Sequence, residues 1–163
     1  MTLLRISAGL SMALFLALAV LSKGWLEPGG ALVFDSRLRG YDADAARAYL
    51  AALGPDAVAL YLGLFRVLDT CFPILLTLSI LLLARRAGPV PGVFPMIAVL
   101  AYLFFDLREN ALVSEMLRAG AGVSDVLVQT ASRATVLKWV LLGASALLLA
   151  GAHFLAHVGR GRG

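Results

Sequence analysis

The sequence predicts an all-α fold: a four-helix transmembrane bundle with a short amphipathic helix in its first outer loop. Three observations carry this. The 163 residues are 61% hydrophobic and 15% charged, against roughly half and a quarter in soluble domains. Apolar runs recur at the length a bilayer needs, about 20 residues. Turn-forming clusters separate them: Pro28-Gly29-Gly30, Gly88-Pro89 with Pro91-Gly92, and Gly120 with Gly122. A soluble domain this small leaves much of its surface in water and cannot hide so much apolar area. The mean hydropathy of +0.90 agrees. The chain reads as one integral membrane domain over residues 1–163.

The first span is residues 3–22, with Arg5 its single charge. Arg5, the apolar run and the small residues Ala17 and Ala19 also fit a cleaved signal peptide. The run continues through Val20 and Leu21, and further spans follow, which favours a retained helix. Residues 23–56 form a polar outer loop. Within it Asp42 is placed to cap a helix Ala43–Leu53 that Gly54 ends. The apolar face Ala46, Tyr49, Leu50 and Leu53 lays this helix on the membrane surface or over the bundle mouth. Asp56 caps the second span, residues 57–84, and Arg85-Arg86 end it. The third span, 93–117, is polar in its second half. The fourth covers 125–157. Gly143, Ala146 and Ala150 form a small-residue stripe on it that serves internal packing or a homo-oligomer, internal packing being favoured.

Short-loop basic residues orient the chain. Arg5, Arg85-Arg86, Arg160 and Arg162 fall on one side, so both termini are expected in the cytoplasm of a multi-pass cell-membrane protein, a bacterial inner membrane protein. The net charge of +4 marks those loops rather than a nucleic-acid partner. Membrane lipids are the expected partners, with a lipid-like substrate as an option. Cys71 is the one cysteine, which argues against quinone-linked disulfide oxidoreductases, and it reads as core filler. His153 and His157 stand four apart and could ligate a metal, but without carboxylate or cysteine neighbours they read as interfacial residues ending the last helix. No metal site or cofactor motif is present. Trp25 and Trp139 read as anchors at the outer interface.

The functional interest lies in charges at a depth where charge is costly. At about 1.5 Å per residue, Asp69 and Asp106 lie roughly 24 and 22 Å from the cytoplasmic face, in the outer third of a core about 30 Å thick. Arg66 and Glu109 sit one turn further out, and Lys138 joins the level from the fourth helix. Helical spacing places Leu62, Arg66, Asp69 and Pro73 on one face, and Tyr102, Asp106, Glu109 and Val113 on another, with Asn110 beside them. Ser132, Thr135 and Lys138 share a third face. Such stripes point into the bundle or a wet cavity. Pro73 removes one backbone bond near Asp69, freeing a carbonyl for a neighbour or water.

Two readings compete. In one, Arg66–Glu109 and Lys138 with Asp69 or Asp106 are neutralising pairs, or the helices project past the lipid and the charges sit among headgroups. In the other, an outward-facing polar pocket uses Asp69, Asp106 and Glu109 as acid–base carboxylates. Arg66, Asn110, Lys138, Tyr102, Asp35 and Tyr41 would then bind substrate or pair charge. Asp35 and Tyr41 either serve turn chemistry, the favoured reading, or fold back over the pocket. A hydrolase or isomerase acting on a lipid or isoprenoid fits this set. A small transporter or channel subunit ranks below it, because Phe72–Ala84 offers only Thr77 and Ser79 as polar side chains.

The strings FDSRLRGYDADAARAYLAALGPDAVALY, LDTCFP and FDLREN, spanning Phe34 to Asn110, resemble a family of small bacterial four-helix integral membrane proteins of unassigned function. The resemblance places Asp35, Tyr41, Asp69, Pro73, Asp106, Glu109 and Asn110 on its pattern positions. It implies no activity. Arg108 stands where that pattern has leucine.

Overall fold

The computed structural model describes residues 1–160. They form helices joined by short loops, with no strand among the described residues. Six α-helices form: α1 (Thr2–Leu21), α2 (Ala43–Ala52), α3 (Pro55–Leu60), α4 (Arg66–Ala84), α5 (Val93–Ala119) and α6 (Asp125–Arg160). A wide turn at Tyr61–Phe65, bent at Gly63, joins α3 and α4 into one long rod. Arg162 lies outside the described residues, and so does the side chain of Arg160.

Among the described residues three segments are long and apolar enough to cross a membrane: Thr2–Leu26, Pro55–Ala87 and Asp125–Val158. The expected third span, now α5, is not among them, because Asp106, Arg108 and Glu109 interrupt its apolar stretch. α1 packs on α4, α4 on α5, and α5 most extensively on α6. Ser7 and Ser11 turn inward on α1, and Ser79 Oγ of α4 lies 2.8 Å from Ser7 Oγ.

The outer surface changes character along the helices. On α5 the exposed side chains are Val93, Phe94, Ile97, Leu100, Phe104 and Leu107, then Arg108, Ala111, Glu115, Arg118 and Ala119. On α6 the exposed side chains include Asp125, Val126, Gln129 and Arg133, then Leu137, Val140, Leu147, Leu148, Phe154 and Leu155. α6 has 36 residues, about 54 Å of helix, well beyond a hydrocarbon core of about 30 Å. The excess lies at the end where the outer loop folds.

That loop is the larger core. Leu26, Val33 and Phe34, with Ala46, Tyr49 and Leu50 of α2, are buried against Tyr61, Phe65, Val113, Met116 and Val128. The smaller core, Ile80, Val99 and Tyr102, joins α4, α5 and α6 in the opposite half. Asp42 accepts a hydrogen bond from Ala45 N at 2.8 Å and caps α2 as expected. Its apolar face is buried over the bundle mouth rather than lying flat on a surface. Arg47 ties α2 to the α5–α6 turn through Asp125 and the Val123 carbonyl.

Several expectations are corrected. Gly54, not Asp56, occupies the N-cap of α3, because Pro55 fits the first helical position and needs no partner for a missing N–H. Cys71 is exposed, since it lies on the face of α4 opposite Asp69. Gly143, Ala146 and Ala150 are exposed, so the small-residue stripe is not internal packing.

Residues 31–42 form a strap across the end of the bundle where α2 packs. Gly40 has φ +78°, and a Cβ there would stand 2.6 Å from Ser132 Oγ. The absence of a side chain lets Tyr41 N donate to that hydroxyl at 2.8 Å. Gly40→Ala is therefore expected to lift the strap from α6 and cost about 1–3 kcal/mol, read as a lowered Tm of the purified protein in detergent. An unchanged Tm contradicts this.

Candidate functional site

The site is built around Lys138 of α6. Its side chain is 5% exposed. Its Nζ lies 2.5 Å from Asp35 Oδ1, 3.3 Å from Asp106 Oδ1 and 2.5 Å from Glu109 Oε2. The strap supplies Asp35 and α5 supplies the other two, one turn apart. A buried ammonium is tolerable only when charged partners replace its water, and here three do. Glu109 also accepts a hydrogen bond from Thr135 Oγ1 at 2.5 Å, so the Ser132, Thr135 and Lys138 face of α6 is used along its length.

Asp69 of α4 sits beside this centre. Its side chain is 9% exposed and its Oδ2 lies 3.8 Å from Arg66 Nη1. Pro73 cannot donate to the Asp69 carbonyl, and Asn110 Nδ2 takes that place at 3.3 Å. The same amide group stands 3.4 Å from Asp106 Oδ2. One asparagine thus links the carboxylate-bearing turns of α4 and α5.

A cavity of about 410 Å³ opens against this cluster. Asp35, Asp69, Asp106 and Lys138 line one end, with Tyr102. Phe15 and Leu18 of α1, Phe65 and Phe72 from the α3–α4 rod, and Trp139 and Leu142 of α6 give the apolar walls. Lys23 and Glu27, just beyond α1, and Leu32 and Val33 of the strap also line it. The cavity fills the side of the bundle where α1 and α6 face each other under the strap.

Asp69, Asp106 and Lys138 thus meet at one cavity, as their matched depths predict, and the expected Lys138–Asp106 pair forms, whereas the Arg66–Glu109 pair does not. Arg66 does not meet Glu109. It donates to Ser114 Oγ at 2.5 Å, on the other side of Asn110. Glu109 is fully buried behind the cavity, where it holds Lys138 and is not among the lining residues. Asp35 is no simple turn residue. Besides Lys138 it meets the Tyr61 hydroxyl at 3.3 Å, and its carbonyl accepts from Trp139 Nε1 at 2.8 Å. Trp139 is therefore a cavity wall and strap anchor, not a free interfacial anchor. Tyr41 helps to seat the strap and is not a lining residue.

Sequence reasoning missed Arg37. Its guanidinium donates twice to the Leu32 carbonyl, at 3.0 and 2.8 Å. It also lies 5.0 to 5.5 Å from the ring centres of Phe34, Tyr41 and Tyr49. The aromatic residues flanking an arginine in the loop were the available signal.

Burial pushes the Asp35 carboxyl up, but the Lys138 ammonium, the Arg66 charge and the Tyr61 hydroxyl outweigh it and hold it below its usual value. Burial and the Glu109 charge push the Tyr41 phenol well above its usual range, so it stays neutral at physiological pH.

No protein-family model, curated protein or solved structure matches the chain.

A carboxylate held below its unfolded value contributes stability that is complete above that value and lost as pH falls through the folded one. The Tm gap between the wild type and Asp35→Asn is expected to stay constant from neutral pH down to about pH 4, then narrow. A gap that closes between about pH 7 and pH 5 contradicts the Asp35–Lys138 contact.

Proposed function

We propose that this chain is an integral membrane protein that crosses the bilayer four times, α5 joining the three segments that length and apolarity identify. Its outward-facing pocket receives a lipid-like molecule. The observation that carries this is one cavity with a charged end and apolar walls, within the size range of small-molecule sites. The change from apolar to charged exposed side chains, at Leu107 to Arg108 on α5 and Arg133 to Leu137 on α6, supports an outer membrane boundary at that level. Asp106 and Lys138 then lie just inside it. A headgroup at the carboxylates would leave its tail between α1, α4 and α6, facing the hydrocarbon.

This placement favours the projecting-helix account of the charges, and it leaves a pocket at the headgroup level. The apolar exposed stretch of α5, Val93 to Leu107, is about 22 Å long, short of the hydrocarbon thickness. Tilt or local thinning accommodates such a deficit. Arg5, Arg85 and Arg86 support a cytoplasmic location for the opposite end and both termini.

A second reading is an acid–base enzyme acting on that molecule. Two carboxylates, Asp69 and Asp106, on one cavity wall favour it. Transport is disfavoured: in the inner half of α4, Thr77 is buried and Ser79 is bonded to Ser7 and the Leu75 carbonyl.

In a Cys71→Ser background, a membrane-impermeant thiol reagent applied from outside is expected to label Gly30→Cys and spare Gly88→Cys. The reverse pattern inverts the orientation. Asp69→Asn and Asp106→Asn are expected to insert normally and fail to complement a deletion strain. Full complementation by both removes the enzymatic reading.

A further inference from the structure

Resting on the pocket reading above, we infer that the occupant is an amphiphile with a cationic, ammonium-type head. The charge balance of the cavity carries this. Four carboxylates line it, Glu27, Asp35, Asp69 and Asp106, against two bases, Lys23 and Lys138. Including the flanking Arg66 and Glu109 leaves the same surplus of two acids. Lys138 cannot relieve the surplus, because it already serves three carboxylates.

Asp69 is the independent observation. Its side chain is more than nine-tenths buried and lines the cavity. Its Oδ2 accepts no hydrogen bond; the nearest cation is Arg66, whose Nη2 donates to Ser114 while its Nη1, without a hydrogen-bond partner, stands 3.8 Å from Oδ2, beyond hydrogen-bond reach. A buried carboxylate oxygen without a donor is costly, and a ligand that brings a donor with positive charge removes that cost. An anionic head would meet four carboxylates at close range in a medium that screens weakly. The apolar walls and the position between α1 and α6 supply the place for a single alkyl chain.

The two tryptophans of the chain make the test direct. Trp25 is exposed and outside the cavity lining. Trp25→Phe leaves Trp139, a cavity wall, as the sole fluorophore. The protein, in discs of uncharged lipid, is titrated with a bromine-terminated primary alkylammonium, alkyl sulfate and alkanol of equal chain length. Bromine quenches indole on contact. The ammonium compound is expected to quench Trp139 saturably, with a midpoint about tenfold or more below the other two. Asp69→Asn is expected to erase that preference while tail quenching persists. Asp106→Asn provides the same comparison should the first variant not fold.

The failures are distinguishable. Absence of saturable quenching by any of the three overturns the pocket reading itself. Saturable quenching in which the alkanol or the sulfate equals the ammonium compound leaves the pocket standing and overturns the cationic head. Equality of alkanol and ammonium would mean that protons, not a ligand, neutralise the surplus.

Discussion

The buried ammonium of Lys138 is the constraint on which the rest of the strap end of the bundle depends. One side chain of α6 binds carboxylates from α5 and from the strap. Removing either partner set would leave charge buried without compensation, which costs several kcal/mol. The contact therefore does more than neutralise. It sets the register of the α5–α6 hairpin and draws residues 31–42 down across the end of the bundle. Everything else in the strap follows from that descent: Trp139 reaches the Asp35 carbonyl, Tyr41 N reaches Ser132, and Arg37 seals the loop against three rings.

The cavity is a consequence of this closure. α1 packs on α4 and α5 on α6, and the strap spans the remaining side instead of a fifth helix. The space beneath is apolar where the helices face each other and charged where the strap meets α5 and α6. A pocket with those two ends, at the level where the exposed side chains turn from apolar to charged, matches the gradient a lipid molecule itself carries. That match, rather than any one residue, connects the fold to the proposed function.

Much of this was legible in the sequence. The helical repeat of Ala46, Tyr49, Leu50 and Leu53 foretold the buried face of α2, and Asp42 its cap. A fixed rise per residue brought Asp69, Asp106 and Lys138 to one level, and Pro73 pointed to a free carbonyl that Asn110 takes. What depth cannot supply is rotation about each helix axis and the path of a loop. Arg66 and Glu109 lie at one depth, yet Arg66 turns to Ser114 and Glu109 to Lys138. Asp35 is far from Lys138 in sequence, and only the strap's return unites them. Trp139 has the composition of an interfacial anchor, and its role as a wall depends on that same return. The expected third span shows a different gap: α5 is a helix of the expected extent, but its charges keep it out of the class that length and apolarity alone identify.

The central claim is that Lys138 holds the strap over the cavity. Amide hydrogen exchange across residues 31–42, compared between the wild type and Lys138→Met, tests it most directly. The account predicts that protection in the strap collapses in the variant while the inner halves of α1 and α4 exchange as before. A strap that remains as protected without the ammonium would contradict it.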